Sequence, residues 1–464
     1  MSTRFLMIAL DGADGVLLDR WSADGTLPNL ASLRQRGSVT RLHAPEGITD
    51  DGLWASFQYA AALGEHGRYH WRQRLRSGQM GMSYLDEADR TSFWTRLSDE
   101  GFRVAVFDIP KCGPPKPLNG IHLVDWLVHG RYFKKPVSFP ESLAAEVISR
   151  YGPAPPSRCD YDVSPLSESE IEEVVSNLRT SIFRKRAAGL RYVSAERWDL
   201  FMIGFKEAHC ACHHLWDLAD AEHPLHRPEL NDRLGQPLKV IFRDLDAAVG
   251  ALIEAAGKDA AIVVFSPSNF ERNSTLAHLM PEIVRRINRE LGESALDRLI
   301  HGLSRGRVRS VCELLPYNEN GTALRLNLKN ARPGRGMSDD SYRLNRMDAI
   351  AALVRELKDA DTGSPVVVAV DRPSIDCPGS RSAWLPDLLV RYSPGICPEA
   401  VTSARLGRIE APRPALRPGD HASGGIIFHS EEAGHSVQAV EDIAAHMVYG
   451  LGGSVTGRAF PVPH

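Results

Sequence analysis

The chain has 464 residues, of which 43% are hydrophobic and 24% charged, with a formal charge of -3. That profile excludes a disordered or fibrous protein, and the near-balanced charge, with no long Lys/Arg run, excludes nucleic acid as an obligate partner. The seven cysteines, an odd number at scattered spacings, argue against a disulfide framework and for a reducing compartment.

Residues 5–10, Phe-Leu-Met-Ile-Ala-Leu, follow a single positive charge and stop at Asp11. The run is too short for a signal-peptide core with a cleavage site and reads as a buried first strand. No stretch approaches the roughly 18 to 20 apolar residues of a membrane helix. The expectation is a soluble, cytoplasmic protein that acts on a small molecule, without a membrane partner; oligomeric state is left open.

Further apolar runs at 104–109, 200–205, 260–265, 366–370, 388–390 and 426–428 alternate with amphipathic segments at 27–36, 92–100, 238–256 and 347–357. Continuous apolar runs mark strands buried on both faces, so the fold class is α/β, a doubly wound, mostly parallel sheet sandwiched by helices. One domain is expected over 1–464. Residues 111–195, rich in Pro and charge with an acidic helical stretch at 167–178, and the mixed segment 270–385 read as insertions capping the strand ends. In open α/β sheets, ligands bind outside those carboxyl ends.

Candidate chemistry lies at the same ends. Asp11 follows the first strand in Leu10-Asp11-Gly12-Ala13-Asp14, where an Asp-Gly is also ordinary turn chemistry. Thr49-Asp50-Asp51 precedes a helical pattern at 55–62; it suits an N-cap, or a nucleophile or anion site at a helix dipole. After strand 200–205 comes Lys206-Glu207-Ala208-His209-Cys210-Ala211-Cys212-His213-His214. A helix starting near Glu207 puts His209 and His213 on one face, four apart, where both can hold one ion. The Cys210/Cys212 pair lacks a redox or zinc spacing and reads as packing. His421, in Gly419-Asp420-His421, is a third imidazole, distant in sequence.

Taken together these residues resemble the alkaline phosphatase superfamily, most closely its type I phosphodiesterase and nucleotide pyrophosphatase branch. The similarity runs through Leu27-Pro28-Asn29-Leu30, Trp54-Ala55-Ser56-Phe57, Gly64-Glu65-His66-Gly67, Trp198-Asp199-Leu200-Phe201, Leu326-Asn327-Leu328 and Asp361-Thr362-Gly363 to His421 and Gly425. The resemblance implies two zinc-like ions about 4 Å apart and a Thr or Ser that becomes phosphorylated. It assigns Asp11 to one ion with a later Asp-His pair, and assigns an Asp, a His four residues on and His421 to the other.

The sequence departs from that pattern. Where the branch has Ser-Asp-His-Gly-Phe, this chain has Ser266-Pro267-Ser268-Asn269-Phe270, so one ion loses two ligands. His209 stands where the other ion usually takes Asp. Counting back from Trp54 puts Asp50 at the nucleophile position, and a one-residue shift puts Thr49 there.

The expected metal ligands are thus Asp11, His209, His213 and His421, the catalytic candidates Thr49 and Asp50, and the metal zinc, with iron or manganese compatible with the same donors. Lys206 or Arg68 is a candidate to offset charge where an ion is lost. The function expected is a metal-dependent phosphoric-ester hydrolase with a reduced, single-metal site. The alternatives are a different mononuclear metal reaction and a non-catalytic binding protein.

Overall fold

In the computed structural model, residues 4–75, 77–83, 90–127, 133, 135–156, 165–292, 310–317, 319–328, 338–430 and 437–452 are described. They fall into two units, 1–272 with 416–464 and 273–415.

The first unit is built on an eight-stranded sheet. Its strands are β1 (Phe5–Leu10), β2 (Ser38–Leu42), β3 (Val104–Phe107), β4 (Gly120–Val124), β5 (Val137–Phe139), β6 (Leu200–Phe205), β7 (Ala261–Ser266) and β8 (Gly425–His429). Their spatial order is β2-β8-β7-β1-β6-β3-β4-β5. The five strands from β7 to β4 are parallel, and β8, β2 and β5 join by antiparallel pairing at the two sides. This is the mostly parallel sheet that the apolar runs imply.

Every residue of β1, β6 and β7 is buried. Because side chains alternate across a strand, such runs must be covered on both faces. Leu6, Ile8 and Leu10 join a core shared with α2 (Glu168–Ala195), α3 (Glu207–Ala219) and α4 (Pro237–Ala256). On the opposite face Phe265 meets Trp54 and Phe57 of α1 (Asp50–Tyr59), with ring centroids 5.9 and 4.9 Å away.

Several elements differ from the expectation, each for a local reason. Helix α1 begins at Asp50 rather than near residue 55, with Thr49 as its N-cap and acidic residues in its first turn, where the helix dipole favours them. Strands β2, β4 and β5 were not expected. Ser38–Leu42 and Val137–Phe139 are short and only partly buried, and His122 interrupts the apolar run of β4.

Residues 111–195 contribute β4, β5 and α2 to the first unit. Parts of this range and of 270–385 lie outside the described residues. The runs at 366–370 and 388–390 do form strands, Val367–Asp371 and Leu388–Tyr392, but in the second unit. There they belong to an antiparallel four-stranded sheet with Gly321–Leu326 and Cys312–Leu314, on a core of its own. Between them lie only a one-turn helix and a short 3-10 turn, less than a parallel crossover needs. Among the described residues no helix is long and apolar enough to cross a membrane.

Candidate metal centre

The parallel strands deliver their following residues to one edge of the sheet: Asp11 after β1, Asp108 after β3, Asp125 after β4, Lys206 after β6 and Pro267 after β7. Helix α3 opens directly beyond β6, and the backbone of β1 turns tightly beside it. Gly12 has φ +60, and a Cβ there would lie 2.7 Å from the Cα of His209. Any side chain at residue 12 therefore displaces the first imidazole.

The third imidazole arrives by strand register. Asp14 accepts from the backbone N–H groups of Leu17 and Phe270, tying the end of β1 to the short strand Asn269–Arg272. That strand pairs antiparallel with Gly419–Ala422, which sets His421 opposite Phe270. The Phe270 ring lies 4.5 Å from the ring of His421 and 4.8 Å from that of His213, giving both an apolar backing.

His209, His213 and His421 close on one point. Their ring centroids are 4.6, 4.6 and 4.9 Å apart, and all three are buried. His213 Nδ1 donates to the Gly419 carbonyl at 2.8 Å. His209 Nδ1 faces Asp11 Oδ2 at 3.4 Å, while Asp11 Oδ1 accepts from the Trp54 indole at 2.8 Å. With each Nδ1 directed at an acceptor, the two Nε2 atoms are left facing one another, 3.2 Å apart. At that separation the two atoms can share one proton or one metal ion. The spacing matches the edge of about 3.3 Å between nitrogens bound tetrahedrally at about 2.0 Å.

His421 completes the test of fit. Its Nδ1 lies 3.4 Å from the Ser268 hydroxyl, and its Nε2 is buried with no hydrogen-bond partner. Burial, and then the neighbouring His209, hold this imidazole well below its ordinary pKa, so it stays neutral as a metal ligand must. Burial pushes the Asp11 carboxyl up, but the adjacent His209 outweighs it and the carboxyl ends below its usual value, ionised. The donor set fits a divalent ion of the zinc type, with Asp11 placed to orient His209 from behind.

Asp50 extends the cluster. Its Oδ2 lies 3.9 Å from His421 Nε2, and its ligand atom falls with those of Asp11 and His209 within 4.8 Å of one another. Thr49, the N-cap beside it, is also buried. So the structure brings together Asp11, Asp50, His209, His213 and His421, with Thr49 adjacent in the chain.

Sequence reasoning missed Lys111. Its Nζ lies 2.7 Å from Asp50 Oδ2 and 3.1 Å from Asp51 Oδ1, with the side chain 9% exposed. It follows β3 by only four residues, and that position just past a strand end was its one sequence signal. Lys111 is thus the ammonium beside Asp50 and Asp51, while Lys206 and Arg68, the two residues anticipated to offset charge, have other neighbours. Lys206 Nζ instead lies 3.3 Å from Asp108 Oδ1 and 3.4 Å from Asp125 Oδ1, and Arg68 stacks over the Tyr59 ring. Cys210 and Cys212 are buried, and burial raises the Cys212 thiol well above its usual pKa, in keeping with packing.

A model of the type I phosphodiesterase / nucleotide pyrophosphatase family matches residues 5–388. No curated protein matches the sequence. Among solved structures, phosphonoacetate hydrolase from Sinorhizobium meliloti 1021 in complex with phosphonoformate is similar, with TM-score 0.56 and 13% identity over 97% of this chain and 95% of that chain. The same enzyme with phosphonoacetate gives 0.53 at 13% identity, over 97% and 95%. Inactive murine ectonucleotide pyrophosphatase / phosphodiesterase 5 in complex with AMP gives 0.48 at 11% identity, over 98% and 97%. The likeness to the hydrolase is one of fold.

Proposed function

The chain belongs to the type I phosphodiesterase / nucleotide pyrophosphatase family, and from that premise we propose that it hydrolyses a phosphoric ester with a single divalent metal ion. His209, His213 and His421 would hold the ion, with Asp50 as a carboxylate donor and Asp11 orienting His209. The observation that carries this reading is the pair of Nε2 atoms 3.2 Å apart beside the unpartnered Nε2 of His421, with a ligand nitrogen from each of the three imidazoles within 4.8 Å of the others. When bound, such an ion supplies Lewis-acid stabilisation of charge on phosphoryl oxygens.

The remaining work falls to the chain. Thr49, at the N-cap of α1, is the proposed nucleophile. Its hydroxyl oxygen forms a bond to phosphorus and gives up its proton to solvent as the bond to the leaving alkoxide breaks. The alkoxide takes up one proton from solvent to leave as the alcohol, so that overall the threonine's proton departs with it. Water then cleaves the phosphothreonine, returning the hydroxyl and releasing the phosphate product. The burial of the imidazoles and Asp50 keeps the local dielectric low, so each charge there acts more strongly than it would in water.

The test pairs metal analysis with hydrolysis of bis(p-nitrophenyl) phosphate and p-nitrophenyl phosphate, with zinc, manganese or iron supplied. Metal-dependent turnover that chelation abolishes is the expected result. Inactivity toward both esters with every metal would overturn the reading.

A second reading, a mononuclear iron or manganese reaction other than ester hydrolysis, draws support from Pro267 and Ser268 standing where a second ion's Asp-His pair is expected. One equivalent of iron or manganese without esterase activity favours it.

A further inference from the structure

Beside the imidazoles, the first turn of α1 is matched by a positive charge of the chain's own. Asp50 and Asp51 both turn a carboxylate oxygen to the Lys111 ammonium, at 2.7 and 3.1 Å, in a pocket where all three side chains are at most 10% exposed. Asp51 is fixed from its other oxygen, which accepts from the Trp71 backbone N–H at 2.9 Å. Lys111 itself has φ +58, a left-handed backbone that a lysine adopts only at a cost. Asp108, three residues earlier, has φ +56, so the turn after β3 is bent twice against preference. The surrounding structure holds that turn in a form that delivers one ammonium to two carboxylates.

Charge balance gives the arrangement its meaning. Asp11 and Asp50 are buried and the Asp51 side chain is 10% exposed, which makes three carboxylates with the single ammonium of Lys111 to answer them. One divalent ion at the imidazoles brings the group to neutrality, whereas a second would leave it doubly positive in a buried setting. The ammonium also occupies the space between the Asp50 and Asp51 oxygens that an ion there would need. We propose that Lys111 is a built-in replacement for a second metal ion, and that it limits this site to a single ion.

This inference rests on the imidazole cluster being a metal site, and counting ions separates the two. Equilibrium dialysis against Mn2+, with bound metal measured per folded chain and electron paramagnetic resonance reporting coupling between neighbouring ions, is applied to the full-length protein. Wild type is expected to take up one ion at saturation, Lys111→Arg one, and Lys111→Met two, with the coupled spectrum of a pair. Asp51→Asn added to Lys111→Met is expected to return the count to one. Circular dichroism checks each fold, and Lys111→Gln replaces the methionine variant if that does not fold.

Uptake of two ions by wild type overturns the inference and leaves the hydrolase reading standing. One ion in both wild type and folded Lys111→Met likewise overturns only the inference. No uptake by wild type overturns the metal-dependent reading and this inference with it.

Discussion

The two halves of the strand-end cluster solve opposite problems. In one, three buried imidazoles bring nitrogen atoms within 4.8 Å of one another. In the other, the carboxylates of Asp50 and Asp51 share the one ammonium of Lys111. On the proposed reading the first half takes its positive charge from a metal ion, and the second carries its own. On the reading proposed above, a single ammonium substitutes for the charge of a second ion without requiring a full ligand set, so that the ion count changes while the fold does not.

The largest expected effect comes from breaking the imidazole half. His213→Ala removes a central nitrogen donor and should abolish tight metal uptake and, with it, hydrolysis, as read by metal content and turnover on the diester. Thr49→Ala should sharpen the contrast by separating ion from chemistry. It keeps the metal while lowering kcat by roughly 10⁴-fold or more, since loss of a nucleophile removes a covalent route entirely. If Thr49→Ala retains turnover and Asp50→Asn loses it without losing metal, the nucleophile is Asp50.

A smaller effect should follow from changes behind the ligands. Trp54→Phe removes the indole donor that holds Asp11. It should weaken metal affinity by about 10- to 100-fold while leaving the fold intact, the usual scale for losing an orienting partner. Ser268→Ala, which touches His421 at 3.4 Å, should cost less, because that contact is long.

The smallest effect is on metal-free stability with pH. His421 is held well below its ordinary value of 6.5 in the folded protein, so below about that pH the unfolded chain binds a proton that the native chain does not. Stability should therefore fall as pH drops from about 7 to about 5. His421→Gln should flatten that slope in thermal melts of the metal-free protein, whereas Lys111→Arg should leave it unchanged. Equal slopes in wild type and His421→Gln would place the acid sensitivity elsewhere.

Much of this was legible in the residues themselves. The runs at 5–10, 200–205 and 260–265 marked strands buried on both faces, because only a doubly covered sheet tolerates six apolar residues in succession. The i,i+4 spacing of His209 and His213 set them on one face of a helix whatever surrounded it. Less visible were β2, β4 and β5, whose partial burial or interrupting polar residues leave weak apolar patterns. The destination of 367–371 and 388–392 was also hidden, since an apolar strand does not declare which sheet it joins.

By itself, then, the sequence determined the sheet type, the pairing of two imidazoles and the absence of an Asp-His pair at Pro267-Ser268, all properties of near neighbours along the chain. Tertiary structure decided the rest: that His421 comes to His209 and His213 through its register opposite Phe270, that Asp50 rather than only Asp11 faces the cluster, and that Lys111 stands between Asp50 and Asp51. The physical reason is range. Periodicity reports local geometry, whereas the meeting of residues 50, 111 and 421 is set by strand order and by a turn held at positive φ, neither of which leaves a local mark on the chain.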